Sequence, residues 1–209
     1  MKNKLIAKSF LWMAIGLMVT FVTGYLVSNS FNISYAIFNN HLYIVLVIIE
    51  LILVLVLSAL VHKFSPTMAK VMFLLYSFVS GLTFSSIFIA YELTYIMYVF
   101  FIAAALFALF GFIGYCTKVN LSKIGTILLM GLVGAIILEL LNIFLFKGTL
   151  DIIICIIFLV VFLGITAWDL QKLKNMDDSD NAAIYGALQL YLDFINILIS
   201  LLRLLSKRN

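Results

Sequence analysis

Read for apolar and polar positions, the 209-residue chain is a succession of apolar runs. Each is roughly 20 residues long, the length a helix needs to cross the hydrocarbon of a bilayer. The runs predict spans at about 9–28, 41–62, 69–90, 94–116, 122–146, 150–171 and 184–205, seven in all. The connections are short and hold no Pro/Ser-rich linker, low-complexity tract or soluble insertion, so residues 1–209 read as a single transmembrane domain. The last run differs from the others. Gly186, Gln189, Asp193, Asn196, Ser200 and Arg203 follow one another at steps of three and four, the spacing of one helix face, and make a polar seam on an apolar rod. A carboxylate and a guanidinium in hydrocarbon are costly by several kcal/mol, so the seam must face protein or a wet cavity. The expected fold is therefore all-α: a polytopic membrane protein of seven transmembrane helices, with the C-terminal helix central to a six-helix surround.

Composition narrows the class. Hydrophobic residues make up 66% of the chain and charged ones 11%, with one proline, Pro66, whereas about a quarter of residues are charged in soluble domains. The basic excess comes from lysines between the apolar runs, so it reports orientation rather than nucleic-acid affinity, and no basic patch with interleaved aromatics is present. The lipid bilayer is the expected partner; nucleic acid is not. Cys116 and Cys155 have no companion at metal-ligand spacing and read as small buried hydrophobes. The basic start from Met1 to Lys8 superficially resembles a signal peptide. The run after it continues past Gly24 for a full span, which makes it a retained first helix.

The lysines also predict sidedness. Lys2, Lys4, Lys8, Lys63, Lys70, Lys118, Lys123, Lys172 and Lys174 all fall on the N-terminal side of the membrane, and the opposite connections hold Lys147. The positive-inside rule then places the N-terminus in the cytoplasm. The tail Lys207–Arg208 conflicts with a strict count of seven spans. Either the first six spans dominate the orientation or the seamed helix does not fully cross, and full crossing is favoured.

Small residues recur within the spans: Ser77, Ser80, Gly81 and Ser85 in the third, Ala104, Ala108, Gly111 and Gly114 in the fourth, Gly131 and Gly134 in the fifth. They let helix backbones approach closely in lipid. Glu50, Glu139, Asp169 and Asp193 lie well inside predicted spans, and an idle intramembrane carboxylate is expensive. Asp169 lies about one turn before the cytoplasmic end of the sixth span, and Asp193 lies in the same half of the seventh. The short connection makes these helices antiparallel neighbours and brings the two carboxylates within reach. In a dry site such a pair tends to share one proton, which makes it a proton sensor or a cation site. The plainer alternative is a solvated helix-end Asp169 beside Lys172 and an Asp193 bonded to a span backbone. Arg203, about 15 Å along the helix from Asp193, snorkels to the far interface or meets Glu50 or Glu139. Glu50, near the middle of span 2, reads as lumen-facing. Sequence signatures of zinc proteases, serine hydrolases and phosphate-binding loops are absent, so no enzymatic activity and no cofactor are expected.

The stretch Leu188-Gln189-Leu190-Tyr191-Leu192-Asp193-Phe194-Ile195-Asn196, followed by Leu201-Leu202-Arg203 and preceded by Trp168-Asp169-Leu170-Gln171, resembles the transmembrane Bax-inhibitor-motif family. Ser80-Gly81-Leu82-Thr83 and Asn142-Ile143-Phe144 are similar to further family positions, and the short termini resemble those of a bacterial member. The resemblance implies two three-helix layers around the C-terminal helix, in the inner (plasma) membrane. It also implies a pH-sensitive calcium leak gated by an aspartate pair, which corresponds to Asp169 and Asp193. Calcium is then the permeant ion, held weakly and transiently by these two residues, with Glu50, Asn196 and Arg203 as pathway or accessory positions. No Arg stands where the family's basic latch belongs, so His62 or Lys63 has to serve. The alternative expectation is a membrane-embedded regulator of stress or proteolysis that binds another membrane protein and moves no ions. A proton-coupled carrier also fits buried carboxylates but lacks broken-helix signatures.

Overall fold

The computed structural model describes residues 2–39, 42–145 and 148–206. His41, Lys147, Lys207 and Arg208, which enter the arguments on span ends and sidedness, lie outside them. Among the described residues the chain is all-helical: α1 (Lys2–Ser28), α2 (Phe31–Asn39), α3 (Leu42–Leu60), a 3-10 turn (Val61–Lys63), α4 (Pro66–Ala90), α5 (Leu93–Cys116), α6 (Ser122–Phe144), α7 (Asp151–Lys174) and α8 (Asp180–Ser206). Every helix except α2 is long and apolar enough to span a bilayer, which gives the seven expected spans. The chain is a multi-pass membrane protein whose outward apolar side chains, such as Met18, Phe101, Phe112 and Met130, meet lipid. Of the seven spans, α8 is the most buried, as its polar seam requires.

Two compact units divide the chain. The first comprises residues 1–96 and 176–191, that is α1 to α4 and the first half of α8. Small residues set its close packing: a Cβ on Gly81 of α4 would meet the Thr20 carbonyl of α1 at 2.9 Å. Across the same seam Thr20 Oγ1 donates to the Ser77 carbonyl at 2.8 Å and shares a 2.7 Å hydrogen bond with Tyr191 Oη. Phe73 and Tyr76 meet the Tyr191 ring edge-on. Helix α4 starts at a Ser65 cap, whose side chain accepts from the Met68 amide, with Pro66 in the first turn. The start of α8 is tied down by Asn181 Nδ2, which donates to the carbonyls of Val61 and Phe64.

The second unit comprises residues 97–175 and 192–209, that is α5, α6, α7 and the second half of α8. Gly114 of α5 lies directly on the Ala167 backbone of α7, and Gly125 of α6 lies against the Trp168 ring. Gln171 then pins the α5–α6 connection, accepting from the Leu121 amide and donating to the Val119 carbonyl, both at 2.8 Å.

Three expectations need correction. The stretch after span 1 is not a plain loop: Phe31–Asn39 forms α2, with Ile37 buried against Val27 and Leu46. Helix α8 starts at Asp180, four residues before the predicted span, because the polar residues Asp180 and Asn181 are its first turn and not part of a loop. Gly131 and Gly134 do not mark a packing face. They are exposed, with open space at Gly134, and Gly125 makes the close approach on α6 instead.

Candidate functional site

Asp169 and Asp193 both belong to the second unit and lie within electrostatic reach of each other. Asp169 is 7% exposed and Asp193 2%, so neither is a solvated helix-end residue. The charge on one acts on the other, whereas Lys172, one turn past Asp169, is the cation that acts on Asp169. Lys172 itself sits over the Trp168 ring. Asp193 Oδ2 is buried and has no hydrogen-bond partner.

The residues flanking Asp169 hold it in place. Ala167 presses its backbone on Gly114 and Trp168 packs its ring on Gly125, so α7 is gripped on either side of the carboxylate. Lys174 Nζ reaches the Tyr115 carbonyl at 2.8 Å and fixes the end of the same helix. Beside Asp193, the Phe194 ring meets Phe100 and Phe107 edge-on, which keeps the surroundings apolar. Thr166 is the polar neighbour of Asp193. Its hydroxyl also donates to the Phe162 carbonyl of its own helix at 2.7 Å. Sequence reasoning missed Thr166; its place three residues before Asp169, on the same helical face, was the available signal.

The remaining candidates fall elsewhere. Arg203 does not snorkel: Nη2 lies 2.9 Å from Glu139 Oε1 and 3.9 Å from Asp151 Oδ1. Asn196 Nδ2 donates to the Leu192 carbonyl of its own helix at 2.8 Å. Glu50 belongs to the first unit, where Oε2 accepts from Thr83 Oγ1 at 2.7 Å. Tyr76 is buried against Tyr191. His62 is exposed with its ring 5.4 Å from that of Tyr185, and Lys63 is exposed. The acids at the start of α8 pair with lysines: Asp178, just before the helix, with Lys8 at 3.2 Å and Asp180, in its first turn, with Lys70 at 2.9 Å. Among the described residues no three His, Cys, Asp or Glu side chains converge as a metal cage.

Comparison with known proteins follows the same helices from end to end. A family model described as inhibitor of apoptosis-promoting Bax1 matches residues 2–209. The chain belongs to the Bax inhibitor family. This family member is 39% identical over 212 residues to the inner membrane protein YbhL of Escherichia coli K12, covering 97% of the chain and 91% of the relative. It is 38% identical over 216 residues to an uncharacterized protein of Borreliella burgdorferi, covering 99% and 93%. An uncharacterized membrane protein of Streptococcus pyogenes serotype M1 is 33% identical over 216 residues, covering 99% and 94%.

Proposed function

We propose that this Bax inhibitor family protein is a passive, pH-sensitive calcium leak of the inner (plasma) membrane, gated by Asp169 and Asp193. The observation that carries the reading is the pair of buried carboxyls on adjoining helices, one of them with a dry, unpartnered oxygen. An ionised carboxylate in that position is strongly disfavoured, and two are more so, because like charges at short range in a poorly polarisable site repel by several kcal/mol. With one proton shared the pair is neutralised to a single charge, α7 and α8 stay packed, and the path is closed. Removal of the proton leaves two negative charges in a dry interior. Their repulsion loosens the two helices and admits water and cations at the Asp169 end.

Calcium suits hard oxygen ligands, and two carboxylates without a full cage bind it weakly enough to let it pass. The lysine distribution supports a cytoplasmic N-terminus, with the acidic pair in the cytoplasmic half of the membrane. No covalent chemistry is involved. The test is ⁴⁵Ca uptake into proteoliposomes of the purified protein across a pH series. Uptake rises with pH in the wild type, and Asp169→Asn or Asp193→Asn flattens that dependence. Equal flux and equal pH response in all three proteins defeats the gate.

A second reading is supported by the family model's description, which concerns inhibition of another protein. In it the chain acts by binding a membrane-protein partner and moves no ions. Purified protein alone is then silent in the same flux assay at every pH.

A further inference from the structure

The second unit holds another polar cluster, about 15 Å along α8 from the aspartates, where Arg203 lies ten residues beyond Asp193. One guanidinium there ties three helices at a single level: Glu139 from α6, Asp151 from the first turn of α7, and Arg203 itself from the last turn of α8. Asn142, fully buried on α6, holds the Asp151 end. Its amide donates to Asp151 Oδ1, its Oδ1 accepts from the Leu150 amide at 3.0 Å, and its carbonyl accepts from the Gly148 amide at 3.2 Å. Glu139 Oε2 is buried without a hydrogen-bond partner, so its carboxylate rests on the arginine contact.

Between the aspartates and this cluster the seam carries Asn196 and Ser200. Both spend a donor on their own helix, Asn196 on the Leu192 carbonyl and Ser200 on the Asn196 carbonyl at 2.7 Å. After these bonds Ser200 keeps its lone pairs and Asn196 its Oδ1 and one N–H, and the oxygens are acceptors of the kind a cation favours. A cation moving along it from Asp193 then meets a fixed guanidinium on top of the next two carboxylates.

We propose that Arg203, Glu139 and Asp151 form the second closure of the cation path, with the guanidinium as a tethered cation that occupies the carboxylates a passing ion would use. The proposal rests on the cation-path reading of Asp169 and Asp193. Arginine suits the role because its guanidinium stays charged and is less strongly hydrated than an ammonium, and here Nη2 alone approaches both carboxylates. The closure is distinct from the proton-sharing pair: it is held by a group that does not lose its charge, so it sets how much passes and not the pH at which the path opens.

The chain carries its own reporter. Cys155 is buried one turn deeper on α7 than Asp151, within electrostatic reach of Arg203, and so lies behind the proposed closure. In a Cys116→Ser background, reconstituted protein is treated with a membrane-impermeant maleimide from the side facing the C-terminal end of α8, and ⁴⁵Ca uptake is measured on the same vesicles. Wild-type Cys155 is protected. Arg203→Gln removes a charge-assisted hydrogen bond, which raises the open fraction, labelling and leak by roughly tenfold or more. Arg203→Lys falls between the two, and the pH response keeps its wild-type shape in both. Glu139→Gln, which keeps the side-chain shape, repeats the result if Arg203→Gln does not reconstitute. A wild type that leaks with pH as described, with labelling and leak unchanged in Arg203→Gln and Glu139→Gln, overturns the closure alone. A wild type and variants that are silent at every pH overturn the cation-path reading on which it stands.

Discussion

Gly114→Ala is the sharpest test of how the structure positions Asp169. An ideal Cβ at Gly114 would lie 1.9 Å from the Ala167 carbonyl oxygen and 2.6 Å from both the carbonyl carbon and Cα. A carbon and a carbonyl oxygen pack at roughly 3.3 Å, so α5 and α7 must part by about 1.4 Å, and the obstacle is backbone that no rotamer change can clear. Overpacking of this kind costs about 1–3 kcal/mol, against a helix-propensity gain of about 1 kcal/mol for replacing glycine by alanine. The expected net change is a loss of up to about 2 kcal/mol. Gly134→Ala is the matched control: the same atoms are added where nothing lies within 4 Å, so only the propensity gain of up to about 1 kcal/mol remains. Melting of the purified proteins in one detergent reads both. Gly114→Ala melts below wild type and Gly134→Ala at or above it. Equal shifts of the same sign in the two variants refute the close approach of α5 and α7, and with it the account of how Asp169 is held.

Further predictions follow from the same geometry. Thr20→Val leaves the buried Tyr191 hydroxyl and the Ser77 carbonyl without their partner and destabilises by about 1–3 kcal/mol, whereas Thr20→Ser restores the melting temperature; a silent Thr20→Val contradicts the bond. Thr166→Val removes the polar neighbour of Asp193 and shifts the pH profile of the leak, read in the vesicle assay; an unchanged profile removes Thr166 from the site. Lys70→Met lowers the melting temperature at low salt and not at high salt, because the Lys70–Asp180 pair is partly solvated; a salt-independent effect points to packing against Trp12 instead.

Much of this was legible in the chain. Span number and type follow from the length of the apolar runs, and the three- and four-residue steps from Gly186 to Arg203 foretold that α8 would be the most buried span. The Asp169–Asp193 meeting followed from a short connection and two carboxylates in the same membrane half. Periodicity says which residues share a face but not which helix lies opposite. Arg203 therefore had Glu50, Glu139 and the far interface as open partners, and Asp151, at the very start of the predicted sixth span, went unweighed. The lysines that meet the acids at the start of α8 come from α1 and α4, far away in sequence, so Lys8 and Lys70 left no local trace either. Helix α2 was hidden because nine residues with two asparagines carry too few turns for a pattern to stand out.

The central claim is that the buried aspartates hold one proton between them and lose it as the path opens. Infrared difference spectra of the reconstituted protein, taken across the pH series of the flux assay, read protonated carboxyl groups directly. The wild type is predicted to lose a buried carboxylic-acid band over the pH interval in which calcium uptake rises, and that band is absent or displaced in Asp169→Asn and Asp193→Asn. A band that persists unchanged in both variants, or that disappears only with Glu50→Gln or Glu139→Gln, contradicts the account.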